Sequence, residues 1–257
     1  MYLGTPSDKG KIVTRPHWSY PLYRLAWSGL DWVFPPRCGG CGKVGTRWCD
    51  ECQGKVPTLA GNLCEKCGLP VSRAGLCERC HIDLPPYRAL RAWAAFDFPI
   101  RQALHKLKYR RDMGLGDALA VPLAHYAESL NWPLDLVVPV PLGQKRRQER
   151  GYNQVDLIAR PFSLALGLNY KPSALKRRRE TNSQVGLTAM ERRANMQNAF
   201  IANASLVRGK TVLVMDDVST TGSTLSSSAE ALYQSGAKDV FALTVARALP
   251  HHGLKQV

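Results

Sequence analysis

The stretch VLVMDDVSTTGSTL, residues 212–225, sets an apolar run directly against two adjacent carboxylates and a loop of small hydroxyl residues. The apolar run predicts a buried strand, and residues 223–236 predict a helix that ends at Gly236. In a parallel sheet, ligands bind at the carboxyl ends of the strands, which is where Asp216 and Asp217 fall. The stretch therefore predicts a ligand site between a strand and a helix.

The loop before the helix has the composition of a phosphate-binding loop. The first amide N–H groups of a helix lack intrahelical partners and carry partial positive charge. Gly222 would let the backbone approach a phosphate, while the two acids would accept hydrogen bonds from vicinal hydroxyls or hold Mg²⁺. A sugar phosphate satisfies both halves, so the candidate ligand-binding residues are Asp216, Asp217, Ser219, Thr220, Thr221, Gly222, Ser223 and Thr224.

Two other interpretations of the stretch are weaker. A strand that ends in acids also resembles a Walker B segment, which requires a P-loop. Gly209-Lys210-Thr211 has the ending of a P-loop, but Ala204 stands where the first glycine belongs and a strand follows instead of a helix. A plain helix cap needs one polar residue, whereas about eight follow one another here.

Strands and helices alternate along the second part of the chain. The alternation predicts an α/β fold with a mostly parallel sheet and right-handed crossovers. Pro122 and Pro161 disturb two of the predicted helices. The predicted strands are 89–98, 134–142, 210–217 and 238–248, and the predicted helices are 100–109, 115–130, 153–167 and 223–236, with a basic loop after the second strand.

All eight cysteines fall within residues 38–80 as four CxxC pairs: Cys38/Cys41, Cys49/Cys52, Cys64/Cys67 and Cys77/Cys80. Two CxxC knuckles complete a tetrahedral Cys₄ zinc site, so eight thiolates predict two structural zinc ions with no position open for water. Sequential pairing is the simplest arrangement, and spacing leaves a crossed one open. His81 is a neighbour that could substitute as a ligand. A disulfide framework and a thioredoxin-like motif are the weaker alternatives.

The charge of the chain favours anionic partners. With 35 Lys and Arg against 20 Asp and Glu, the 257 residues carry a formal charge of +15. Twelve basic and four acidic residues fall between 145 and 193, a net of +8. Such a concentration suits nucleic acid or phosphorylated ligands, although a solvated face is the common meaning of any single run. The sequence contains neither a membrane-length apolar run nor a signal-peptide pattern, so we expect a cytoplasmic protein.

The stretch VLVMDDVSTTGST resembles the phosphoribosyl pyrophosphate (PRPP) signature of type I phosphoribosyltransferases. The resemblance implies that Asp216 and Asp217 contact the ribose 2′ and 3′ hydroxyls and that residues 220–224 surround the 5′-phosphate. It further implies that PLGQKRRQERGYNQ is the pyrophosphate loop, with Arg150, Gly151 and Asn153 facing the diphosphate and Mg²⁺ bridging. Lys108 could reach the same site, or could be an exposed helix lysine.

A narrower resemblance covers nearly the whole chain. A double zinc ribbon, LKY (107–109), VVPVPL (137–142), RGYNQ (150–154), Thr181 with Gln184 and Leu187, and ERRANMQNAF (191–200) occur in the order typical of the ComF (competence protein F) family, which includes ComFC-like and GntX-like proteins. Arg192 and Asn195 belong to that pattern without a derivable role. The implied domains are an extension over 1–33, a double zinc ribbon over 34–86 and a phosphoribosyltransferase-like domain over 87–257.

The resemblance leaves two functional classes open. One is a PRPP-dependent phosphoribosyltransferase, whose acceptor the sequence does not identify. The other is a single-stranded DNA-binding factor that acts in DNA uptake during natural transformation, with a regulatory or vestigial PRPP site. Aromatic residues available for base stacking are Trp48, Trp93, Tyr109 and Tyr152, although such residues more often pack in a core.

Overall fold

A computed structural model of the chain describes residues 35–110, 112–178 and 198–249. Within these ranges the strands are β1 Leu90–Ala95, β2 Leu136–Pro139, β3 Asn169–Tyr170, β4 Leu175–Arg177, β5 Phe200–Ala202, β6 Thr211–Ser219 and β7 Asp239–Arg247. The helices are α1 Asp50–Gly54, α2 Glu78–Ile82, α3 Ile100–Tyr109, α4 Gly114–Ser129, α5 Gln144–Arg150, α6 Gln154–Ala165, α7 Ala204–Val207 and α8 Ser223–Gln234. A single 3₁₀ turn over Pro172–Ala174 leads into β4.

Five strands form one sheet in the order β1-β7-β6-β2-β3, and every neighbouring pair is parallel. The mostly parallel α/β fold predicted from the sequence is therefore confirmed. β6 lies in the middle of the sheet between β7 and β2, so its carboxyl end faces the crevice that parallel sheets offer to ligands. β4 and β5 form a separate antiparallel pair.

The sheet is covered on both faces because β6 alternates its side chains between two apolar cores. Leu213 and Met215 pack on one face with residues of α3, α4 and α6. Val212 and Val214 pack on the other face with residues of α8. Asp217 continues the alternation of the first pair, so the strand aims this carboxylate toward α3 and α6.

Strands β3, β4 and β5 were not among the predicted strands, and the helices also differ from the expectations in two places. The basic stretch after β2, predicted as a loop, forms α5 over Gln144–Arg150, and none of its residues is buried. Its sequence QKRRQER consists of strong helix formers and ends at Gly151 in the left-handed region, φ 80°, as helices commonly do. Helix α4 runs through Pro122 and α6 runs through Pro161, so neither proline ends its helix.

The cysteine-rich segment docks on the amino-terminal strand of the sheet. Lys66 accepts a hydrogen bond at its carbonyl from the Leu90 amide at 2.7 Å, and its ammonium donates to the carbonyl of Tyr87 at 2.9 Å. Gly68 permits this close approach, because it has φ 68° and a Cβ there would lie 2.5 Å from the Leu90 carbonyl oxygen. The segment is thus joined to the sheet by backbone contacts as well as side chains.

Candidate functional site

A cleft of about 790 Å³ opens at the carboxyl ends of β2 and β6. It brings together the two acids, the hydroxyl loop and the segment from α5 to the start of α6. The predicted site residues that line it are Lys108, Arg150, Asn153, Asp216, Asp217, Ser219, Thr220, Thr221, Gly222, Ser223 and Thr224. Of the predicted set, Gly151 is the only one absent from the lining, and it ends the neighbouring helix α5.

The two carboxylates are held by the backbone that follows them. One oxygen of Asp216 accepts a hydrogen bond from the Asp217 amide at 2.8 Å, and one oxygen of Asp217 accepts from the Val218 amide at 2.9 Å. Each acid therefore keeps its second oxygen for other partners. Asp217 is 5% exposed and Asp216 is half-buried, so both carboxylates sit in a partly dehydrated environment where a ligand hydroxyl would bind strongly.

Lys108 pairs with Asp217. The ammonium, on the last turn of α3, forms an ion pair with the Oδ2 atom of Asp217. Burial opposes ionisation of Asp217, but the charge of Lys108 outweighs it and holds the pKa of this carboxyl below its ordinary value. Burial and the neighbouring charge of Asp217 raise the pKa of Asp216 well above its ordinary value. The adjacent acids are therefore unequal, with the negative charge centred on Asp217.

Gln154 links the acids to the basic segment. Its side-chain N–H lies 3.5 Å from Oδ2 of Asp217, and its carbonyl oxygen accepts a hydrogen bond from Arg150 at 2.8 Å. Gln154 is 5% exposed and opens α6. In the sequence Gln154 is the last residue of the predicted pyrophosphate loop, PLGQKRRQERGYNQ, but no role was predicted for it. Its place in that loop was the one signal that could have identified it.

The segment before α6 is anchored by hydrogen bonds from two half-buried side chains. Asn153 caps α6, accepting from the Val155 amide at 3.2 Å, and donates to the Val140 carbonyl at 3.1 Å. Tyr152 donates from its hydroxyl to the carbonyl of Leu107 at 2.5 Å. These bonds fix the segment to the end of β2 and to α3. Arg150 is the charged residue next to this segment, and Gln154 connects it to Asp217.

Tyr109 forms part of the wall of the cleft. Its ring is 61% exposed, and the Arg150 guanidinium lies 5.1 Å from its centroid. Of the other aromatic residues considered for base stacking, Trp93 is buried in the core and Trp48 donates its indole N–H to Gln53 at 2.8 Å. Tyr109 is thus the aromatic residue of that set best placed to meet a ligand.

The hydroxyl loop begins α8. Gly222 has φ 80° and sits at the amino-terminal cap of that helix. The hydroxyls of Thr221 and Ser223 are 2.8 Å apart, and the Ser223 amide lies 3.4 Å from Oγ1 of Thr221. The Ser219 hydroxyl accepts a hydrogen bond from the buried Arg247 at 2.7 Å, so Ser219 already has a protein partner. The loop presents backbone amides and hydroxyls at a helix amino terminus, which suits a phosphate.

Two further basic residues, which the sequence marked only as members of basic runs, also line the cleft. Arg146 comes from α5 and Arg177 from β4, within the two basic runs of the sequence. The charge concentration predicted a ligand-facing role for this part of the chain, but only the fold shows which side chains reach the cleft. Arg192, Asn195, Thr181, Gln184 and Leu187 lie outside the described residues.

The eight cysteines form two groups that match sequential pairing. In each group the four sulfur atoms lie within 4.8 Å of one another, and the groups are Cys38, Cys41, Cys49 and Cys52, and Cys64, Cys67, Cys77 and Cys80. The sulfurs of Cys41 and Cys49 are 3.7 Å apart and those of Cys67 and Cys77 are 3.6 Å apart. Zn–S bonds of about 2.3 Å in a tetrahedron place sulfurs ~3.8 Å apart. The donor set and its spacing therefore fit one zinc ion in each group, and His81 is in neither.

Backbone amides support the sulfurs as they do in zinc knuckles. The Cys52 amide lies 3.4 Å from the sulfur of Cys49, and the Cys77 amide lies 3.3 Å from the sulfur of Cys64. Burial disfavours the thiolate of Cys64, but backbone N–H groups outweigh it and lower the pKa of this thiol to about 6. A thiol of this kind is readily deprotonated, which is the form that binds metal.

Comparison with known protein families agrees with both parts of the chain. Residues 29–81 match the double zinc ribbon domain, and residues 159–255 match the phosphoribosyl transferase domain. The protein is thus of the phosphoribosyltransferase fold class, with an attached double zinc ribbon. None of the helices in residues 35–110, 112–178 and 198–249 has the length and apolarity that a membrane crossing requires.

Relatives over most of the chain narrow the class to a family. The DNA utilization protein YhgH of Escherichia coli K12 is 36% identical over 194 residues, which are 73% of this chain and 85% of that protein. Competence protein F of Haemophilus influenzae is 28% identical over 78% of this chain and 96% of that protein. Competence protein ComFC of Bacillus subtilis is 26% identical over 77% and 83%. The chain belongs to the ComF (competence protein F) family.

Proposed function

We propose that the chain binds PRPP together with Mg²⁺ in the cleft at the carboxyl end of β6, and that it acts in DNA uptake during natural transformation. The observation that carries the proposal is the meeting of two kinds of group in one cleft. Asp216 and Asp217 supply acceptors for vicinal hydroxyls, and the loop that follows supplies amides and hydroxyls for a phosphate. A ribose 5-phosphate needs both the hydroxyl acceptors and the phosphate-binding groups.

The basic wall of the cleft suits the diphosphate of PRPP. Arg146 and Arg150 of α5 line the cleft together with the hydroxyl loop. Arg177 adds a third guanidinium from β4. Guanidinium groups bind phosphate oxygens in a bidentate manner. A Mg²⁺ ion would reach the protein through Asp216 or Asp217 and would supply neutralisation of the diphosphate charge when bound.

Lys108 is suited to respond to the ligand. Its ammonium rests on Asp217, on the side of the cleft that also carries Arg150. When a ribose hydroxyl donates to Asp217, the lysine can turn to a diphosphate oxygen, because a lysine side chain is long and rotates freely. In the free protein the ion pair neutralises the ammonium of Lys108. It also keeps this ammonium close to the place where the diphosphate would bind.

If the bound PRPP reacts, the C1–O bond to pyrophosphate breaks with its electron pair and an acceptor bonds to C1. The cleft would contribute by orienting PRPP, by stabilising the charge of the departing diphosphate and by excluding water. No side chain need act as a nucleophile in such a transfer. An acceptor would complete the assignment of the protein as a phosphoribosyltransferase.

The test is isothermal titration of PRPP with Mg²⁺ into zinc-loaded protein, alongside Asp216→Asn/Asp217→Asn. We expect saturable binding to the wild type and none to the double variant. The matched control is Asp239→Asn, which removes a carboxylate at the opposite end of the sheet, paired with the exposed Arg88. Absence of PRPP binding to the wild-type protein would contradict the proposal.

A second candidate is a single-stranded nucleic-acid-binding protein in which PRPP regulates binding. The exposed ring of Tyr109 beside Arg150 favours it, since bases stack on such platforms. Helix α5, none of whose residues is buried, adds a row of basic side chains next to this ring. The names of the relatives, competence protein F and DNA utilization protein, point to DNA as well.

The salt dependence of DNA binding tests the second candidate. Each phosphate contact on single-stranded DNA adds about −0.7 to the slope of log K against log salt. Removing two α5 contacts in Arg146→Ala/Arg147→Ala should therefore reduce that slope by about 1.4 in magnitude. Lys55→Ala, at an exposed pair on α1, is the control and should leave the slope unchanged. DNA binding with a wild-type slope in the α5 variant excludes this surface as the nucleic-acid site.

A further inference from the structure

The second cysteine group touches the hydroxyl loop through a residue that lies between two of its ligands. Arg79 is on α2, between Cys77 and Cys80, and it donates from Nη2 to the carbonyl oxygen of Thr221 at 2.6 Å. This bond joins residues that are 142 positions apart in the chain. The second ribbon, which contains Cys64, Cys67, Cys77 and Cys80, is therefore hydrogen-bonded directly to the backbone of the predicted phosphate loop.

A second arginine contacts the same loop from inside the protein. Arg247 is the last residue of β7, stands opposite Ser219 of β6 in the sheet register, and is 1% exposed. Its Nη1 donates to the Ser219 hydroxyl at 2.7 Å. Its Nε has no hydrogen-bond partner within the part of the chain that the structure describes. A guanidinium so deeply buried requires opposite charge nearby.

The second cysteine group lies beside this guanidinium, since Cys67 and Cys80 line one cavity with Arg247. Burial lowers the pKa of Arg247, and negative charge on the Cys67 and Cys80 sulfurs opposes that shift, whereas the cation of Arg79 adds to it. A zinc ion with four thiolates carries a net charge of −2, and this charge is held in place only while the metal organises the sulfurs. Arg247 thus lies between a metal-dependent negative charge and the loop.

The space around the two arginines is not closely packed. A cavity of about 150 Å³ separates the second ribbon from the start of α8, and its lining includes both arginines, Cys67, Cys80, Tyr87 and Thr221. Because open space replaces apolar packing at this point, hydrogen bonds and charge carry the contact between ribbon and loop.

The first cysteine group contacts a different part of the domain. Lys106 of α3 donates to the Cys38 carbonyl at 2.8 Å, and Arg47 pairs with Asp112 at 3.4 Å. These contacts reach α3 and the chain between α3 and α4. The two ribbons are therefore expected to have separable effects.

We propose that Arg79 and Arg247 are positioning residues through which the zinc-filled second ribbon holds the phosphate loop in its binding conformation. The proposal rests on the proposed function of this loop as the PRPP phosphate site. It assigns the second ribbon a role in ligand binding besides stability, and it makes the loop sensitive to loss of one particular zinc ion.

Hydrogen–deuterium exchange of zinc-loaded protein tests the connection without any ligand. We expect the segment 216–226 to exchange about tenfold faster in Arg79→Ala and in Arg247→Lys than in the wild type, since each variant loses a charged hydrogen bond. The matched control is Arg73→Ala, which removes an exposed arginine of the same ribbon. Segment 114–129 of α4 serves as the internal reference for global unfolding.

The outcomes divide clearly. Faster exchange of the loop with an unchanged α4 supports the proposal, and wild-type exchange of the loop in both variants overturns it. If Arg247→Lys also loosens α4, Arg79→Ala decides, because Arg79 is exposed and its replacement leaves the core intact.

Titration of PRPP with Mg²⁺ into the same three variants separates this proposal from the proposed function. We expect about tenfold weaker binding in Arg79→Ala and Arg247→Lys at a full content of two zinc ions, and wild-type binding in Arg73→Ala. Binding that is equal in all of them overturns the positioning role and leaves the PRPP site standing. Wild-type protein that binds no PRPP, with a loop that still loosens in both variants, overturns the PRPP site and leaves the connection between ribbon and loop.

Discussion

Lys108 of α3 and Asp217 of β6 form an ion pair at the floor of the cleft, with side chains that are 20% and 7% exposed. The pair joins the helix that packs against the first ribbon to the strand that leads into the hydroxyl loop. Because Asp217 has little access to water, its charge depends on this lysine and on Gln154. The pair therefore serves the stability of the free protein as well as the site.

Replacing Lys108 by Gln should leave the Asp217 carboxylate without its cation. Breaking one partner of a buried pair costs about 3 kcal/mol, so the free energy of unfolding at pH 7 should fall by ~3 kcal/mol. Lys108 holds the pKa of Asp217 below its ordinary value, so this contribution is present above about pH 4 and is lost as the pH falls further. Urea denaturation between pH 7 and pH 3 measures both effects.

We expect wild type and Lys108→Gln to lose zinc alike in acid. The difference between their free energies of unfolding therefore isolates the contribution of the ion pair. Lys55→Gln, at an exposed ion pair on α1, should change the stability little at any pH. A difference between Lys108→Gln and wild type that stays constant down to pH 3 would contradict the assignment.

Asp216 should make the binding of PRPP depend on pH. Burial and the charge of Asp217 raise the pKa of Asp216, so a proton competes with the ribose hydroxyls for this carboxylate at higher pH than at an ordinary aspartate. We expect the affinity to fall as the pH is lowered, and to do so at higher pH than an ordinary aspartate would cause. Isothermal titration at several pH values should show a shallower fall in Asp216→Asn.

Protonation of the diphosphate affects both proteins equally and cancels in this comparison. Identical pH profiles in wild type and Asp216→Asn would show that Asp216 does not hold the titrating proton.

Gly222→Ala should destabilise the protein and weaken the loop. Gly222 has φ 80°, a region that costs a residue with a Cβ about 1–2 kcal/mol, and the added Cβ would lie 3.2 Å from the Tyr87 hydroxyl. We expect a loss of ~1–2 kcal/mol in thermal or urea unfolding, together with weaker PRPP binding. Gly54→Ala is the matched control, because a Cβ there meets nothing within 4 Å. Equal stability of the two variants would argue against this backbone geometry.

Zinc analysis should return two metal ions per chain, one for each cysteine group. Cys52→Ser should retain about one zinc ion in the second group, and Cys80→Ser should retain about one in the first, since the sulfurs of each group lie together. A chromogenic chelator after mild thiol modification counts the ions released. Loss of both ions from either single variant would mean that the groups share ligands or fold as one unit.

The parts of the fold that sequence reasoning predicted are those with strong local signals. The helix at 100–109 has its four apolar residues at helical spacing and forms with the same bounds. The strand before the two acids extends to Ser219, two residues past its predicted end, because pairing with β7 continues to Arg247. Such extension is set by a neighbouring strand and not by local composition.

The site divides in the same way. The acids and the hydroxyl loop are contiguous in sequence, and the structure brings them into one cleft with Lys108 and Arg150. Gln154 and Arg177 lie in segments that the sequence marked only as a whole, and packing decides that these particular side chains reach the cleft. Arg247 supports the site from the end of β7, where no local pattern marked it. Helix α5 was missed because a run of charged residues indicates solvent exposure, and an exposed segment can be either a helix or a loop.

The position of β1 in the sheet has a consequence for the order of events during synthesis. β1 follows the second ribbon and pairs with β7, the last strand, so that Leu90 stands opposite Ala242. The ribosome therefore releases an edge strand whose only neighbour in the described sheet is made last. Contacts this distant in sequence form late and slowly. Until then the ribbon, which zinc ions in its two cysteine groups would fold, precedes β1 in the chain, and the hydrogen bond from the Leu90 amide to the Lys66 carbonyl is available to hold the unpaired strand.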